Sequence, residues 1–339
     1  MTFWSAITQR SPPSPLWGGV GVGGLSTLRG VSRSAPSRRL NRPPHPTLSP
    51  QGGEGRVIAI IFVLLTIISA PFLPAQAHAQ PQRIVSMNLC TDELLMRIVD
   101  PARIAAITHL SREPINAPLG LDAIASKLAV NHGLAEEVIA LKPDLILAGS
   151  FTTSTATALL RRLGYSVLIF EPENAFEDMR ANIRKLAAAT GDTAKAEQII
   201  ADFDARLAQL QSRIPDATRP IFADIGVNNY ITGDNTLYAE VVNAAGYRTL
   251  GQALGFSGYR TVALEQILTI RPALMSTATP WTSPPSLSTM ALGHPALRAM
   301  TARTPQVEIP ERYTTCGAPS LLGAIEILVD ARAKMGATR

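Results

Sequence analysis

A helical stretch at 175–214 is the feature that most limits what this 339-residue chain can fold into. Its apolar residues recur every three or four positions and the pattern breaks once, at Gly191, so the stretch predicts two helices that meet there. Asn174 followed by Glu177 is typical of a helix N-cap, and glycine suits the position just past a helix end. At about 1.5 Å per residue the two helices would be roughly 22 and 33 Å long. They can form a strut between two lobes or cover a single sheet, and periodicity alone favours neither alternative.

Strand and helix patterns alternate on both sides of this stretch. Before it, apolar strands are predicted at 83–87, 103–108, 144–149 and 165–170, with helices between them and Thr91 as the first N-cap. After it, the alternation resumes at 219–226 and ends in a helix at 319–334. The sequence therefore predicts an α/β protein with two parallel-sheet lobes joined by a long backbone helix. The ligand cleft is expected between the lobes, because open α/β sheets bind ligands beyond the carboxyl ends of their strands.

The composition divides the chain further. Residues 1–55 are rich in Pro, Gly, Ser and Arg and lack apolar periodicity, so they are interpreted as a low-complexity leader that is disordered or comes from a misplaced start codon. Residues 56–79 are interpreted as a signal peptide. The remaining boundaries that we predict are an N-terminal lobe at 80–174, the helical strut at 175–214 and a C-terminal lobe at 215–339.

The signal peptide interpretation rests on the order of its parts. Arg56 precedes an apolar run that ends in Ala77-His78-Ala79, a small-x-small site typical of cleavage after Ala79. A permanent membrane anchor is the alternative, but the run is short for a span of about 20 residues and prolines interrupt its end. We expect export to the periplasm.

Charge is unevenly distributed between the leader and the remainder. Residues 1–79 hold 7 of the 31 Lys and Arg residues but only one of the 26 acidic residues, which leaves 24 basic and 25 acidic residues in the mature chain. A mature chain of nearly balanced charge, without a run of Lys and Arg, gives no support for nucleic-acid binding.

The chain contains two cysteines, Cys90 and Cys316. The periplasm is oxidising, and two cysteines allow one connectivity, so a disulfide is one interpretation. Two unpaired thiols, each a small buried residue at a helix start, are the other. The sequence leaves both open.

The two halves repeat one pattern at a constant offset. Glu136 lies seven residues before Pro143, and Glu265 lies seven residues before Pro272, so one offset of 129 residues relates both glutamates and both prolines. This indicates a duplicated helix-turn-strand unit.

Four segments follow one another in the order of a known family; they are RIVSMNLCTDELL, RIAAIT, LAEEVIALKPDLILAG and IGVNNYITG. Together they resemble the periplasmic substrate-binding proteins of ABC importers for cobalamin, ferric siderophores and haem. The resemblance runs from Arg83 to the last helix, and E-x-x-x-x-L-K-P-D-L-I is its most specific piece. It implies two lobes on a rigid backbone helix, a cleft that moves little on binding, and delivery to an inner-membrane permease with its ATPase.

The resemblance also implies roles for particular residues. Glu136 and Glu265 match glutamates that dock onto arginines of the permease, although a glutamate near a helix start is more often a solvated surface charge. Cys90 and Cys316 fall at helix starts facing the expected cleft, one in each lobe. If bonded, they would tie the lobes together and contribute roughly 4 to 5 kcal/mol by chain entropy.

Aromatic loop residues are expected to contact the ligand, because flat conjugated ligands gain from stacking on rigid rings. Tyr230, Tyr259 and Tyr313 correspond to aromatic ligand contacts of the cobalamin-binding members. Trp281 and Phe151 are added on loop position alone. The alternative for each is an aromatic side chain that fills the core of its own lobe.

Polar residues of the same loops complete the expected ligand site; they are Asn88, Cys90, His109, Arg312 and Cys316. Arg312 takes the place of an acidic residue in the cobalamin-binding members, and Arg112 and Arg260 would also make the cleft more basic. A basic cleft suits an anionic ligand such as a carboxylate-bearing siderophore or haem propionates. The alternative is that these arginines are solvated, and that His109 is structural.

Two other classes of protein are weighed against this interpretation. A binder of a bare transition metal ion would need several converging ligands, and the mature chain offers only three histidines and no His-rich loop. An exported enzyme would need a catalytic motif, and the sequence has no G-x-S-x-G, H-E-x-x-H or C-x-x-C. We therefore expect a monomeric binding protein without a cofactor, a metal site or catalytic residues, whose ligand is an iron complex or cobalamin.

Overall fold

The protein is described here by a computed structural model that covers residues 80–117, 120–152, 154–215, 218–276 and 291–337. In its first half the strands are β1 (Ile84–Ser86), β2 (Ile104–Thr108), β3 (Ala129–Asn131), β4 (Leu145–Gly149) and β5 (Val167–Phe170). The helices between them are α1 (Leu89–Ile98), α2 (Asp122–Ala125), α3 (Ala135–Ala140) and α4 (Ser154–Arg162).

The five strands of this half pair in parallel in the order β3-β2-β1-β4-β5. Strand β4 is buried along its first four residues, as its continuous apolar sequence predicts. The chain winds outward from β1 in one direction and from β4 in the other. Between β1 and β4, therefore, lies the switch point at which open α/β sheets form a binding crevice.

Helices α5 (Phe176–Thr190) and α6 (Thr193–Gln211) carry the chain from β5 to the second sheet. The strands of the second half are β6 (Ile221–Ala223), β7 (Tyr230–Thr232), β8 (Arg248–Thr249), β9 (Tyr259–Thr261), β10 (Leu274–Ser276) and β11 (Gln306–Val307). Its helices are α7 (Leu237–Ala244), α8 (Leu250–Ala253), α9 (Leu264–Leu268), α10 (Pro295–Thr301) and α11 (Leu321–Ala337).

The second sheet repeats the first. Its strands pair in parallel in the order β11-β10-β6-β8, while β7 and β9 form a separate antiparallel ribbon. Strands β4 and β10 begin at Leu145 and Leu274, and helices α3 and α9 begin at Ala135 and Leu264, so both pairs keep the offset of 129 residues. The predicted fold of two parallel-sheet lobes joined through helices is confirmed. The second switch point lies between β6 and β10.

Helices α5 and α6 meet at Gly191, whose φ of +79° is readily adopted only by a residue without a side chain. The predicted cap is wrong by one residue, because Ala175 occupies the N-cap position. The Asp178 carboxylate, and not that of Glu177, accepts hydrogen bonds from the backbone N–H groups of Asn174 (2.9 Å) and Ala175 (3.0 Å). Aspartate three residues into the helix reaches back to the entering backbone, whereas Glu177 points to solvent.

The apolar faces of both helices belong to one core. Met179, Ile183 and Leu186 of α5 are fully buried, and Phe203 of α6 packs edge-on against Phe176 with ring centroids 5.5 Å apart. The same apolar cluster continues into β1 and α1 of the first lobe and into α7 and α11 of the second. The strut is therefore packed into both lobes. Within the described part of the chain, no helix has the length and apolar character needed to cross a membrane.

Candidate functional site

A cavity lies at each of the two switch points. The first-lobe cavity has a volume of about 190 Å³ and is lined by Asn88, Cys90, Thr91, Leu94, Gly149, Ser150, Phe151, Phe170, Glu171, Pro172, Glu173 and Thr315. The second-lobe cavity has a volume of about 400 Å³ and is lined by Asp224, Ile225, Gly226, Val227, Asn228, Tyr230, Tyr238, Thr261, Ser276, Leu292, Ile309, Glu311 and Thr314. Thr314 and Thr315 are adjacent in sequence, so the two cavities meet at one loop. The structure thus places a two-part cleft where the topology predicts it.

A larger groove of about 700 Å³ lies elsewhere, between the end of α1 and the face of α6. Helix α1 follows β1, so its end lies near the amino ends of the strands. Open α/β sheets bind their ligands at the opposite edge. The two switch-point cavities, and not this groove, are therefore the candidate ligand site.

The structure joins Cys90 and Cys316 in a disulfide, with their Cα atoms 5.1 Å apart. Cys90 lies in the first turn of α1, and Cys316 lies in the loop before α11. A second contact supports the same connection, since the Ser320 hydroxyl donates to the Glu93 carboxylate at 3.2 Å. The loop that separates the two cavities is therefore anchored to the first helix of the first lobe.

Asn88, one of the expected ligand contacts, is the N-cap of α1. Its side-chain oxygen accepts hydrogen bonds from the backbone N–H groups of Cys90 (2.9 Å) and Thr91 (3.3 Å), so the prediction of Thr91 as the cap is wrong. The cap comes earlier because the helix begins at Leu89. The Asn88 amide nitrogen lies 2.9 Å from the position of a Cβ atom at Gly149, so a larger residue at this position would displace the Asn88 side chain where the loops after β1 and β4 approach each other.

Tyr230 and Tyr259 form a flat aromatic platform beside the second-lobe cavity. Their ring centroids are 5.9 Å apart, their planes differ by 2°, and each residue is about half exposed (48% and 49%). The antiparallel pairing of β7 with β9 positions them, since Tyr230 lies opposite Thr261 and Tyr259 opposite Thr232. Burial raises the pKa of Tyr259. The structure thus brings together two of the three tyrosines that the resemblance selected.

Asp224, which the sequence analysis missed, lies at the floor of the second-lobe cavity. It follows β6 directly, and its carboxylate accepts hydrogen bonds from the hydroxyls of Ser276 and Tyr238. Burial raises the pKa of Asp224. Burial, together with the neighbouring Asp224 carboxyl, raises the pKa of Tyr238 well above its usual range. The signal in the sequence is an aspartate directly after the apolar strand IFA, at the carboxyl edge where ligands bind.

The other expected aromatic contacts differ in their surroundings. Phe151, in the loop after β4, lines the first-lobe cavity and is 88% exposed, so it does not fill the core of its lobe. Tyr313 is partly buried, and its ring lies against Gly323 of α11, where a Cβ atom would overlap it. Trp281 lies outside the described residues.

The expected basic residues do not converge on the cleft. Arg112 donates to the backbone carbonyls of Ala125 (3.1 Å), Ser126 (3.3 Å) and Leu128, so the expectation that it adds charge to the cleft is wrong. The Arg260 guanidinium lies 3.9 Å from the ring centroid of Phe256. The Arg112 side chain turns toward its own lobe because its planar guanidinium can donate hydrogen bonds to several neighbouring backbone carbonyls at once.

Arg312, the third of these arginines, is partly buried. Its guanidinium lies 5.8 Å from the ring centroid of Tyr313, and its buried Nε atom has no hydrogen-bond partner among the residues that the structure describes. Arg312 follows Glu311, which lines the second-lobe cavity, but its own side chain is not part of either cavity lining.

His109 is stacked on His132, with ring centroids 4.6 Å apart. His132 is also bound to Glu137, whose carboxylate lies 3.1 Å from the ring and accepts from the His132 backbone N–H at 2.6 Å. His109 follows β2 and does not line either cavity. In the described ranges, no three His, Cys, Asp or Glu side chains are grouped to hold a metal ion.

Glu136 and Glu265 occupy matching places in the two lobes. Each is the second residue of a short helix, α3 or α9, and each is exposed. Each helix connects to the strand that follows it, β4 or β10, and is antiparallel to that strand. Its first turn therefore lies toward the carboxyl edge of the sheet, where the cavities open. Among the described residues, neither glutamate has an ion-pair partner.

Sequence similarity to known proteins identifies the family of this chain. The sequence model of the family described as "Periplasmic binding protein" matches residues 84–303. A cobalamin-binding protein of Halobacterium salinarum is 23% identical over 208 residues, which are 59% of this chain and 54% of that protein. A vitamin B12-binding protein of Pectobacterium atrosepticum is 25% identical over 223 residues, which are 62% of this chain and 76% of that protein. The matched part spans about half the length of the Halobacterium relative.

Solved structures share the fold at low sequence identity. The vitamin B12-binding protein of Vibrio cholerae aligns with a TM-score of 0.57 and 19% identity, over 77% of this chain and 99% of that chain. The haem-binding protein RhuT from Roseiflexus sp. RS-1 aligns with a TM-score of 0.58 and 17% identity, over 74% of this chain and 99% of that chain. These similarities show that the two-lobed fold is that of periplasmic binding proteins.

Proposed function

The chain belongs to the periplasmic binding protein family, and on this premise we propose that it is the solute-binding component of an ABC importer. In this proposal the protein is exported, with cleavage after Ala79, and works in the periplasm as a monomer. It captures an iron complex (a ferric siderophore or haem) or cobalamin. It then delivers the ligand to an inner-membrane permease, whose cytoplasmic ATPase drives uptake.

The observation that carries the proposal is the pair of cavities at the two matched switch points. They meet at Thr314 and Thr315, and the larger one has a volume of about 400 Å³, within the usual range for small-molecule sites. The Tyr230–Tyr259 platform and the exposed ring of Phe151 offer large aromatic surfaces at the cleft. A flat, bulky chelate would gain from stacking on such rings.

The lobes of this proposal are residues 80–174 and 215–339, with 175–214 as the strut between them. The shared apolar core and the Cys90–Cys316 disulfide support a cleft that moves little on binding. A rigid cleft loses little conformational freedom when the ligand enters, so more of the contact energy appears as affinity.

Glu136 and Glu265 are the proposed docking points for the permease, one on each lobe. Both are exposed at the edge on which the cavities open, so a partner that covers the cleft would meet both. Two carboxylates at a fixed separation can pair with two arginines and fix the register of docking.

An uptake assay tests the proposal. Cells that lack the gene are supplied with labelled cobalamin, haem or a ferric siderophore, with and without a plasmid-borne copy. We expect the plasmid to restore uptake of at least one chelate, and the purified protein to bind that chelate once per chain without converting it. Uptake of every chelate at the same rate with and without the gene would contradict the proposal.

A further inference from the structure

The two cavities of the cleft carry acidic residues and no basic ones in their described linings. Asp224 and Glu311 line the second-lobe cavity, while Glu171 and Glu173 line the first-lobe cavity. The segment 277–290, which follows β10 and lies outside the described residues, contains no charged residue in the sequence. It therefore cannot supply a positive charge to the cleft.

Asp224 is the carboxylate best placed to meet a ligand. It lies on the cavity floor, and the groups that contact it are neutral hydroxyls, from Ser276 and Tyr238. The two oxygens of a carboxyl group can accept more than two hydrogen bonds, so two hydroxyl donors leave Asp224 with capacity for a donor on a ligand. Within the described residues, no ion pair neutralises Asp224.

The other charges around the cleft do not reverse this balance. The side chain of Glu173 accepts a hydrogen bond of 2.5 Å from the Asn182 amide, and Glu171 and Glu311 are exposed at the cavity mouths. The nearby arginines are not part of either cavity lining, since Arg312 lies beside Tyr313 and Arg260 lies over Phe256. A ligand carboxylate placed in the second-lobe cavity would face Asp224, with no cation among the described residues of the cavity wall.

From these contacts we propose that Asp224 is a specificity-determining residue, which selects chelates that present hydrogen-bond donors or positive charge and disfavours chelates that present carboxylates. The inference rests on the proposed function, because it concerns the ligand of the same cleft. Primary amides and amines would donate to Asp224, whereas a ligand carboxylate would be desolvated next to a like charge. It replaces the expectation of an anionic ligand, which depended on a basic cleft.

The test compares four probes of different peripheral chemistry. Cyanocobalamin carries neutral amides and ferrioxamine B carries an amine, whereas haem and ferric citrate carry carboxylates. Calorimetry on the mature protein measures the dissociation constant of each probe for the wild type, for Asp224→Asn and for Asp202→Asn, a control at an exposed aspartate of α6. We expect the wild type to bind at least one of the first two probes about tenfold or more tightly than either carboxylate-bearing probe. Asp224→Asn should reduce this preference about tenfold, and Asp202→Asn should leave it unchanged.

The outcomes separate this inference from the proposed function. Tightest binding of haem or ferric citrate would overturn the inference and leave the function of chelate capture intact. An unchanged preference in Asp224→Asn would also overturn it. If the wild type binds none of the four probes, the inference and the proposed function both fall. Should Asp224→Asn not fold, Glu311→Gln at the exposed mouth must shift the preference in the same direction, and no shift would overturn the inference.

Discussion

Cys90 and Cys316 are bonded across 226 residues of sequence, from the first turn of α1 to the loop that separates the two cavities. A crosslink that closes so long a loop restricts the unfolded chain, and in the chain-entropy account this stabilises the folded protein by about 5 kcal/mol. The disulfide also holds Thr314 and Thr315 where the two cavities meet.

Removing this disulfide should therefore lower stability. Cys90→Ser combined with Cys316→Ser is expected to lower the free energy of unfolding by about 2 to 5 kcal/mol. Urea unfolding of oxidised wild type and variant measures the difference, with wild type under reducing conditions as the matched sample. Equal unfolding midpoints for all three samples would show that the bond does not contribute to stability.

The two proposed docking glutamates should matter for transport and not for binding. Glu136→Ala with Glu265→Ala is expected to abolish uptake, because each lobe loses its contact with the permease, while the dissociation constant of the ligand stays within about twofold. Glu177→Ala with Glu197→Ala is the matched control, since both are exposed glutamates of the strut in surface ion pairs. Undiminished uptake by the first double variant would refute the docking role.

The tyrosine platform should contribute to affinity through its rings. Replacing Tyr230 and Tyr259 together by alanine is expected to weaken ligand binding by about 1 to 3 kcal/mol, or about 5- to 150-fold. Replacing both by phenylalanine keeps the stacked rings and should retain most of the affinity. Calorimetric titration distinguishes the two variants, and equal affinities for alanine and phenylalanine would exclude a role for stacking.

Asp92 should make stability depend on pH. It is fully buried, and burial raises its pKa to about 7, against the opposing effect of hydrogen bonds from Thr108 and Ser111. The folded protein thus binds this proton more tightly than the unfolded chain, whose value is near 3.8. The resulting stabilisation is complete below about pH 4 and is lost as the pH rises to about 7.

The neutral mimic Asp92→Asn should remove this dependence. Between pH 5 and pH 8 the wild type is expected to lose about 2.5 kcal/mol more unfolding free energy than the variant does. Urea titrations at several pH values measure both slopes, and Asp202→Asn supplies the surface control. Parallel slopes for wild type and Asp92→Asn would mean that Asp92 is not the titrating group.

Sequence patterns predicted the parts of this fold that depend on local regularity. The helix break at Gly191 follows from a glycine between two periodic stretches. The repeat follows from the equal distance of Glu136 and Glu265 from the prolines seven residues after them. Helix starts were less predictable, because Asn88 and Thr91 are both good caps and only the structure shows that the Asn88 side chain accepts from the first backbone N–H groups of the helix.

The parts that the sequence did not predict depend on distant contacts. Strands β7 and β9 have three residues each and pair across a separation of more than 20 residues, so neither carries a local strand signal. Asp224 becomes informative only when its contacts with Ser276 and Tyr238 are known. The hydrogen bonds from Arg112 to the carbonyls near α2 likewise depend on a loop conformation that composition does not encode.

The central claim is that one chelate lodges between the two lobes and contacts both. Native mass spectrometry of the mature protein, titrated with cyanocobalamin, haem and a ferric siderophore, tests it when the wild type is compared with Phe151→Ala in the first lobe and Tyr230→Ala in the second. The account predicts one chelate per chain in the wild type and a weaker complex in each variant. A complex whose stability is the same in the wild type and in both variants, or no complex with any chelate, would contradict the account.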